Sequence, residues 1–298
     1  MEEFKRVFGI KFIMVFTVTM LLSIGLFVYS SSEGKSMSDI RQETHYRQWI
    51  IGELSDMQPE EALEIANIQS DSVIKRKYDE LEPEEQTVYS RQLNKIKEQL
   101  EYIVKYPEDI KNIQNNADTL KSFSIFADKK SFTYNNIQKT AKDFKRVEGV
   151  QVYLTDNKAV DSFVTYYYIY YLSLILNVFV LYELFGEREN GMWCIVHTSK
   201  SGRAKLAFNR TMIITASAFI ITGVLFFTTF LTSFILYKTA SINAPIQNIE
   251  SFSRFSLPMS QLQYIIYDFL YSFCAVLTLT AIVWMAFVFI RHRNIAVT

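Results

Sequence analysis

YELFGERENGMWCIVHTSKSGRAKLAFNR, residues 182–210, is the longest polar interval between apolar runs in the second half of the chain, and it is not polar throughout. Charges gather at Glu183, Glu187, Arg188 and Glu189, and again at Lys200, Arg203, Lys205 and Arg210. Between the two groups stand Met192, Trp193, Ile195 and Val196. A short amphipathic helix at a membrane surface has this character, with apolar side chains at headgroup depth and charges in water. A plain basic loop accounts for the lysines and arginines but not for the acids interleaved with them. The stretch is therefore read as a cytoplasmic link between two spans.

Outward from this link the chain alternates between apolar runs and polar blocks. Phe12 to Tyr29 is an unbroken apolar run behind Lys5, Arg6 and Lys11, long enough to cross a ~30 Å hydrocarbon core. Ser30, Ser31 and Ser32 suit a cleaved signal peptide, but the apolar region exceeds the usual 7–15 residues of one, so an uncleaved anchor is expected. A second span is expected over 163–185, a third over 212–237 and a fourth within 264–290. Pro245 and Pro258 break helical continuity in the polar interval 238–263. Tyr166, Tyr167, Tyr168, Tyr170 and Tyr171 open the second span, where an aromatic belt belongs, and their spread around the helix turns some toward protein or a lumen. Asn177 lies near the middle of that span and Asp268 near the start of the fourth. Polar groups at such depths glue helices together or mark a substrate path. Tyr170, Asn177 and Asp268 are the substrate-path candidates, with an interfacial position the leading reading for Asp268.

Residues 31–161 form the large polar block, and its pattern is mostly helical. Pro83, Glu84 and Glu85 suit a helix start. Tyr89, Leu93, Ile96, Leu100 and Ile103 follow on one stripe, which Tyr106-Pro107 is expected to end. A further helix is expected from Pro107 with Ile110, Ile113 and Leu120 inward, and a third with Ile137, Ala141, Phe144 and Val147 on one side. Phe123, Ile125, Phe126 and Phe132 are expected to pack in the core between them. Val150, Val152 and Leu154 alternate as in a short strand. The acidic run 80–85 reads as a solvated face.

Charge and composition bound the function. The chain of 298 residues is 49% hydrophobic and carries 31 basic and 31 acidic residues, a balance without the basic field that a nucleic-acid partner requires. Residues 31–161 hold a net charge of about −5, leaving about +5 for the remainder. Basic residues concentrate at the N-terminus, in 188–210 and at Arg291 and Arg293, whereas 238–263 has only Lys238 and Arg254. The positive-inside rule then places both termini and the central link in the cytoplasm of a multi-pass cell-membrane protein, and 31–161 outside it. Cys194 and Cys274 lie outside the polar block, so no disulfide framework holds it, and both read as small apolar fillers.

Chemistry-bearing motifs are absent. Gly34-Lys35-Ser36 lacks the first glycine of a phosphate loop, since Tyr29 stands in its place. His45, His197 and His292 are far apart and none pairs with a cysteine at metal spacing. No catalytic residue, metal or cofactor is called, and the chain is read as no enzyme by itself.

The link resembles the core of type-2 ABC exporter permeases, in which an acidic cluster and a glycine precede an apolar run, a small hydroxyl pair and an arginine. Here these are Glu187, Arg188, Glu189 and Gly191, then Ile195 and Val196, then Thr198 and Ser199, then Arg203 and Leu206. Lys200 departs from the proline usual there, and Asn209-Arg210 from glycine-lysine. SFSIFADKKSFTYNNIQKTAKDF, residues 122–144, is similar to the extracytoplasmic domain of such permeases in Gram-positive bacteria. The specific part of the match covers about a quarter of the chain.

The apolar runs and the loop charges give an all-α polytopic membrane protein with four transmembrane helices: residues 1–30 as N-terminus and first span, 31–161 as a mostly helical extracytoplasmic domain, and 162–298 as spans two to four with the amphipathic segment at 186–210. The resemblance implies that this segment couples to a separate ABC ATPase subunit, contacted by Glu187, Arg188, Glu189, Arg203 and Lys205, with Gly191 allowing a turn. A second permease half or a homodimer and the lipid bilayer complete the expected partners. Such permeases usually have six spans per half. Four spans with a large outer domain after the first suit instead the mechanotransmission class of ABC permease, which moves its outer domain without conducting substrate. A membrane-anchored sensor or scaffold is the third reading.

Overall fold

The computed structural model describes residues 7–67, 73–123, 129–186, 202–238 and 241–289. These residues form helices, turns and irregular segments, and no strand occurs among them beyond one isolated bridge between Pro245 and Ser260. The backbone clusters into two compact units. The first comprises Met1–Gly34, Ser162–Ile235 and Ile265–Thr298, the second Lys35–Asp161 and Leu236–Tyr264.

The first unit is built on apolar helices. Helix α1 covers Ile10–Ser32 and ends where Glu33 and Gly34 turn into the left-handed region, a conformation glycine adopts freely and glutamate does not. α1, together with α9 (Gly202–Tyr237) and α10 (Gln261–Phe289), is long and apolar enough to cross a membrane. Helices α7 (Lys158–Val164) and α8 (Tyr168–Leu184) are bent by 45° about a short break, and make a fourth crossing if they act as one span. The second span expected at 163–185 is thus a bent pair and not one rod. The third begins earlier than expected, because Gly202–Arg210 continues the same helix.

Aromatic contacts join these helices. Phe12 meets Phe179 at 6.4 Å, Phe27 meets Tyr166 at 5.2 Å, and Phe163 meets Phe226 edge-on at 4.8 Å. Phe226 and Phe219 both contact Phe269 of α10. Hydroxyls fill the interior: Tyr166 donates to the Ser23 carbonyl at 3.0 Å, and the Ser23 and Thr229 hydroxyls lie 3.4 Å apart. Large apolar side chains point the other way, with Ile10, Val18 and Leu21 of α1, Ile235 of α9 and Ile282 of α10 all exposed.

The second unit has the opposite polarity. Ser36 and Asp39 form a reciprocal capping box that starts α2, Met37–Leu54, and the Ser36 hydroxyl and N–H hold the Asp39 carboxyl below its usual range. α3 (Pro59–Asn67) and α4 (Val73–Asp79) precede α5, which runs from Pro83 to Ser122 and is the spine of the unit. Tyr89, Ile96, Ile103, Ile110 and Ala117 recur at seven-residue intervals along α5 and are all buried, so one seam faces the packed side over its whole length. The N-terminal half of this seam packs on α2, α3 and α4. There the Tyr89 hydroxyl donates to the Ile74 carbonyl at 3.1 Å, while its ring meets Tyr46 edge-on and Trp49 and Tyr78 at a tilt. Glu43, nearly buried, is matched by Lys35 at 2.9 Å and Arg91 at 3.2 Å. α6, Phe132–Lys145, begins at the Ser131 cap and lays its half-buried stripe, including Phe144, toward the C-terminal half of α5.

Three local expectations are corrected. Pro107 does not end a helix: α5 continues through it, because Tyr106 and Ile110 on either side are buried against Val147 and hold the chain helical despite the missing N–H. Residues 150–156 have no regular secondary structure; burial alternates over 150–154 and stops at Leu154 and Thr155, which are both buried. The Tyr153 backbone bonds instead to the Asn248 side chain, receiving its amide at 2.8 Å and donating to its oxygen at 3.4 Å. Phe123 and Phe132 are exposed, not core; Phe132 stands two residues before Tyr134 and so points away from the face of α6 that packs. Ile125 and Phe126 lie outside the described residues.

Candidate functional site

In the first unit, polar residues at spacings of three and four mark one face of α8: Tyr170, Ser173 and Asn177. Asn177 is fully buried. Its amide donates to the Ser173 carbonyl at 2.8 Å, and its oxygen accepts from the Ser217 hydroxyl of α9 at 3.2 Å. Ser217 also reaches the Ile214 carbonyl at 2.9 Å. Seven residues earlier, about 10 Å along the helix, the Tyr170 hydroxyl donates to Asp268 Oδ1 of α10 at 3.0 Å. Both Tyr170 and Asp268 are half-buried. Asp268 backs onto Ser272, whose hydroxyl donates to its carbonyl. The three substrate-path candidates therefore fall into two contacts, Tyr170 with Asp268 and Asn177 with Ser217.

Ser173, between those two contacts, is fully buried, and its hydroxyl finds no partner among the described residues. The Thr222 hydroxyl of α9 is in the same state. Neither residue was singled out in the sequence, because serine and threonine in an apolar helix usually bond back to their own carbonyls. Thr17, Thr19 and Thr228 do so here.

The coupling candidates are placed less fully. Glu187, Arg188, Glu189 and Gly191 lie outside the described residues. Arg203 falls in the first turn of α9, and Lys205 is exposed two residues later on the same helix. Arg210 is buried, with its guanidinium over the Phe185 ring at 5.3 Å, a cation held by an aromatic face.

A second polar assembly, in the other unit, has no counterpart in the sequence reading. Asn157 accepts from the Gln261 amide at 2.6 Å and donates to the Asn248 carbonyl at 3.0 Å. The Tyr102 hydroxyl donates to the Gln247 carbonyl at 2.6 Å, and burial raises its ionisation well above that of a free tyrosine. Gln247 in turn donates to the Phe255 and Leu257 carbonyls, shaping an irregular loop with two short 3₁₀ turns among its described residues. Gln48 donates to the Tyr237 and Lys238 carbonyls at the end of α9. Arg47 lies over the Tyr237 ring at 5.9 Å while pairing with Asp156 at 2.9 Å. The interval 238–263, read as a polar connector, is thereby bound at both ends by the unit that contains α2 and α5. Its glutamines and asparagines carry no periodicity, so only their partners reveal them.

No protein-family model, curated protein or solved structure proved similar to this chain.

Proposed function

We propose that the chain is the membrane-spanning permease subunit of an ABC-type exporter, driven by a separate ATPase subunit. Residues 186–210 and both termini are cytoplasmic in this reading, and 31–161 lies outside the cell membrane. The observation that carries it is the form of α9. This helix joins the basic residues Arg203, Lys205 and Arg210 to the apolar run without a break, over 36 residues. Its length of about 54 Å exceeds a ~30 Å hydrocarbon core, so a rigid arm extends beyond the bilayer. A load applied near Arg203 moves the span directly. The acid–glycine–hydroxyl–arginine order of residues 187–203, similar to that of type-2 permeases, supports an ATPase as the source of the load.

One observation favours the mechanotransmission class as a second reading: only three or four helices among the described residues are long and apolar enough to cross. In that reading the spans move residues 31–161 without conducting substrate.

Affinity capture of the chain from native membranes tests the proposal. An ABC ATPase should be recovered with the chain and lost when Glu187 and Arg203 are both replaced by Ala, at unchanged abundance of the chain. Undiminished capture by the double variant refutes residues 187–203 as the contact. ATP-dependent accumulation of substrate in inverted vesicles separates the exporter from the second reading.

A further inference from the structure

We infer that Asp268, held by Tyr170, is the binding point for an organic cation carried on an apolar body; this names a substrate class for the permease reading and rests on it. α10 contains one charged residue in 29, and it is this acid. Neither α8 nor α10 carries a lysine, arginine or histidine that could neutralise it. Tyr170 supplies one hydrogen bond to Oδ1, which orients the carboxylate without cancelling its charge. An acid used only to join two helices has no need of a charge, since a serine or asparagine would accept the same hydroxyl. Acids placed in apolar helices pair with a cation or serve a pathway.

The surroundings select the kind of cation. Tyr271 stands one turn from Asp268 on the same side of α10, and it is exposed. An aromatic face one turn from a carboxylate attracts ammonium and phosphonium groups. The exposed ring of Tyr271 also offers contact to an apolar body. A bare metal ion is disfavoured, because a hard cation takes about six oxygen ligands and one carboxylate with one phenol falls short of that. Ser173, fully buried one turn from Tyr170 with a hydroxyl that lacks a partner among the described residues, gives the same face an acceptor for an N–H donor.

The test is equilibrium binding of radiolabelled tetraphenylphosphonium to the full chain in phosphatidylcholine nanodiscs, with empty nanodiscs as the baseline and dodecylammonium as competitor. Binding should saturate. Asp268→Asn should weaken it by at least about tenfold, as expected for removing one member of a desolvated charge pair. Asp268→Glu, which keeps the charge, should restore it to within about threefold, and Tyr271→Ala should weaken it by about threefold. Ser173→Ala should weaken competition by dodecylammonium and leave the phosphonium unaffected. Far-ultraviolet circular dichroism on each variant identifies loss of helix, and the Glu variant keeps the test decisive if the Asn variant misfolds. Binding no greater than that of empty nanodiscs, or equal binding by the Asp268→Asn variant, overturns the inference. No ATPase is needed for this measurement. Loss of ATPase capture with cation binding intact removes the coupling alone; loss of cation binding with capture intact removes the substrate class alone.

Discussion

The two units place polarity in opposite ways. In Lys35–Asp161 with Leu236–Tyr264, the large aliphatic side chains Ile50, Leu54, Ile96 and Leu100 are buried, and most carboxylates stand outside. In the unit of α1, α8, α9 and α10, Ile10, Val18, Leu21 and Ile235 stand outside, while Ser23, Ser173, Asn177, Ser217 and Thr222 are inside. A chain folding in water gains about 25 cal/mol for each Å² of apolar surface it buries. That gain vanishes between helices already surrounded by hydrocarbon, where small residues and hydrogen bonds hold the packing. The first arrangement is the one expected of folding in water, and the second is the one expected of helices packed in hydrocarbon.

Breaking the water-type core should have the largest effect. Leu100 is fully buried on α5 among residues of three other helices. Leu100→Ala should destabilise that unit by about 2–5 kcal/mol, the transfer and cavity terms together. Denaturant unfolding followed by Trp49, with Trp193 and Trp284 replaced by Phe, reads the loss. A loss below about 1 kcal/mol would mean that the seam of α5 is not packed as described.

Charge placed on the outer face of α1 tests the other solvent. Leu21 is exposed near the middle of that helix. At a water-exposed site Leu21→Arg would change stability by less than about 0.5 kcal/mol. In hydrocarbon it should oppose insertion by about 2.5–3.5 kcal/mol. Comparing the carbonate-resistant fraction of the two proteins in membranes decides between these magnitudes, and equal fractions would remove α1 from the bilayer.

The Asn157 assembly should respond less, since it contributes hydrogen bonds and little apolar burial. Asn157→Ala strips the Gln261 amide and the Asn248 carbonyl of a partner. About 1–3 kcal/mol should be lost from the same unfolding transition. Limited proteolysis should also cut within 241–260 faster than in the parent chain.

How far the sequence was legible follows from the same contrast. Apolar runs of membrane length, the helix start at Pro83 and the stripe from Tyr89 to Ile103 are periodic signals, and the helices lie where those signals point. Pro107 misled because its local preference was outweighed by burial of Tyr106 and Ile110, residues close in sequence whose partner Val147 is not. The segment 150–154 has a strand's alternation, but a side chain of residue 248 takes the place of a neighbouring strand, and no local pattern announces that. For the candidate site, Asn177 and Asp268 stood out as polar groups among apolar ones. Ser217 and Tyr170 became their partners only when α8, α9 and α10 were brought together.

Ser217→Ala should give the smallest change, and its size sharpens the comparison most. The substitution removes the hydroxyl that α9 donates to Asn177 and leaves the Asn177 oxygen without that partner. The Asn177 amide keeps its bond to the Ser173 carbonyl, so the side chain stays oriented. Were the interior of this unit dried from water on folding, an orphaned acceptor would cost about 1–3 kcal/mol, as at Asn157. If α8 and α9 are inserted before they pack, the separated helices already satisfy their hydroxyls and amides locally, and the difference between packed and separated states shrinks to about 0.6 kcal/mol. Unfolding in mixed micelles, read beside the Asn157→Ala result, compares the two costs directly. A loss at Ser217 as large as that at Asn157 would mean that both units fold against water, and the inverted polarity of the first would then need another cause.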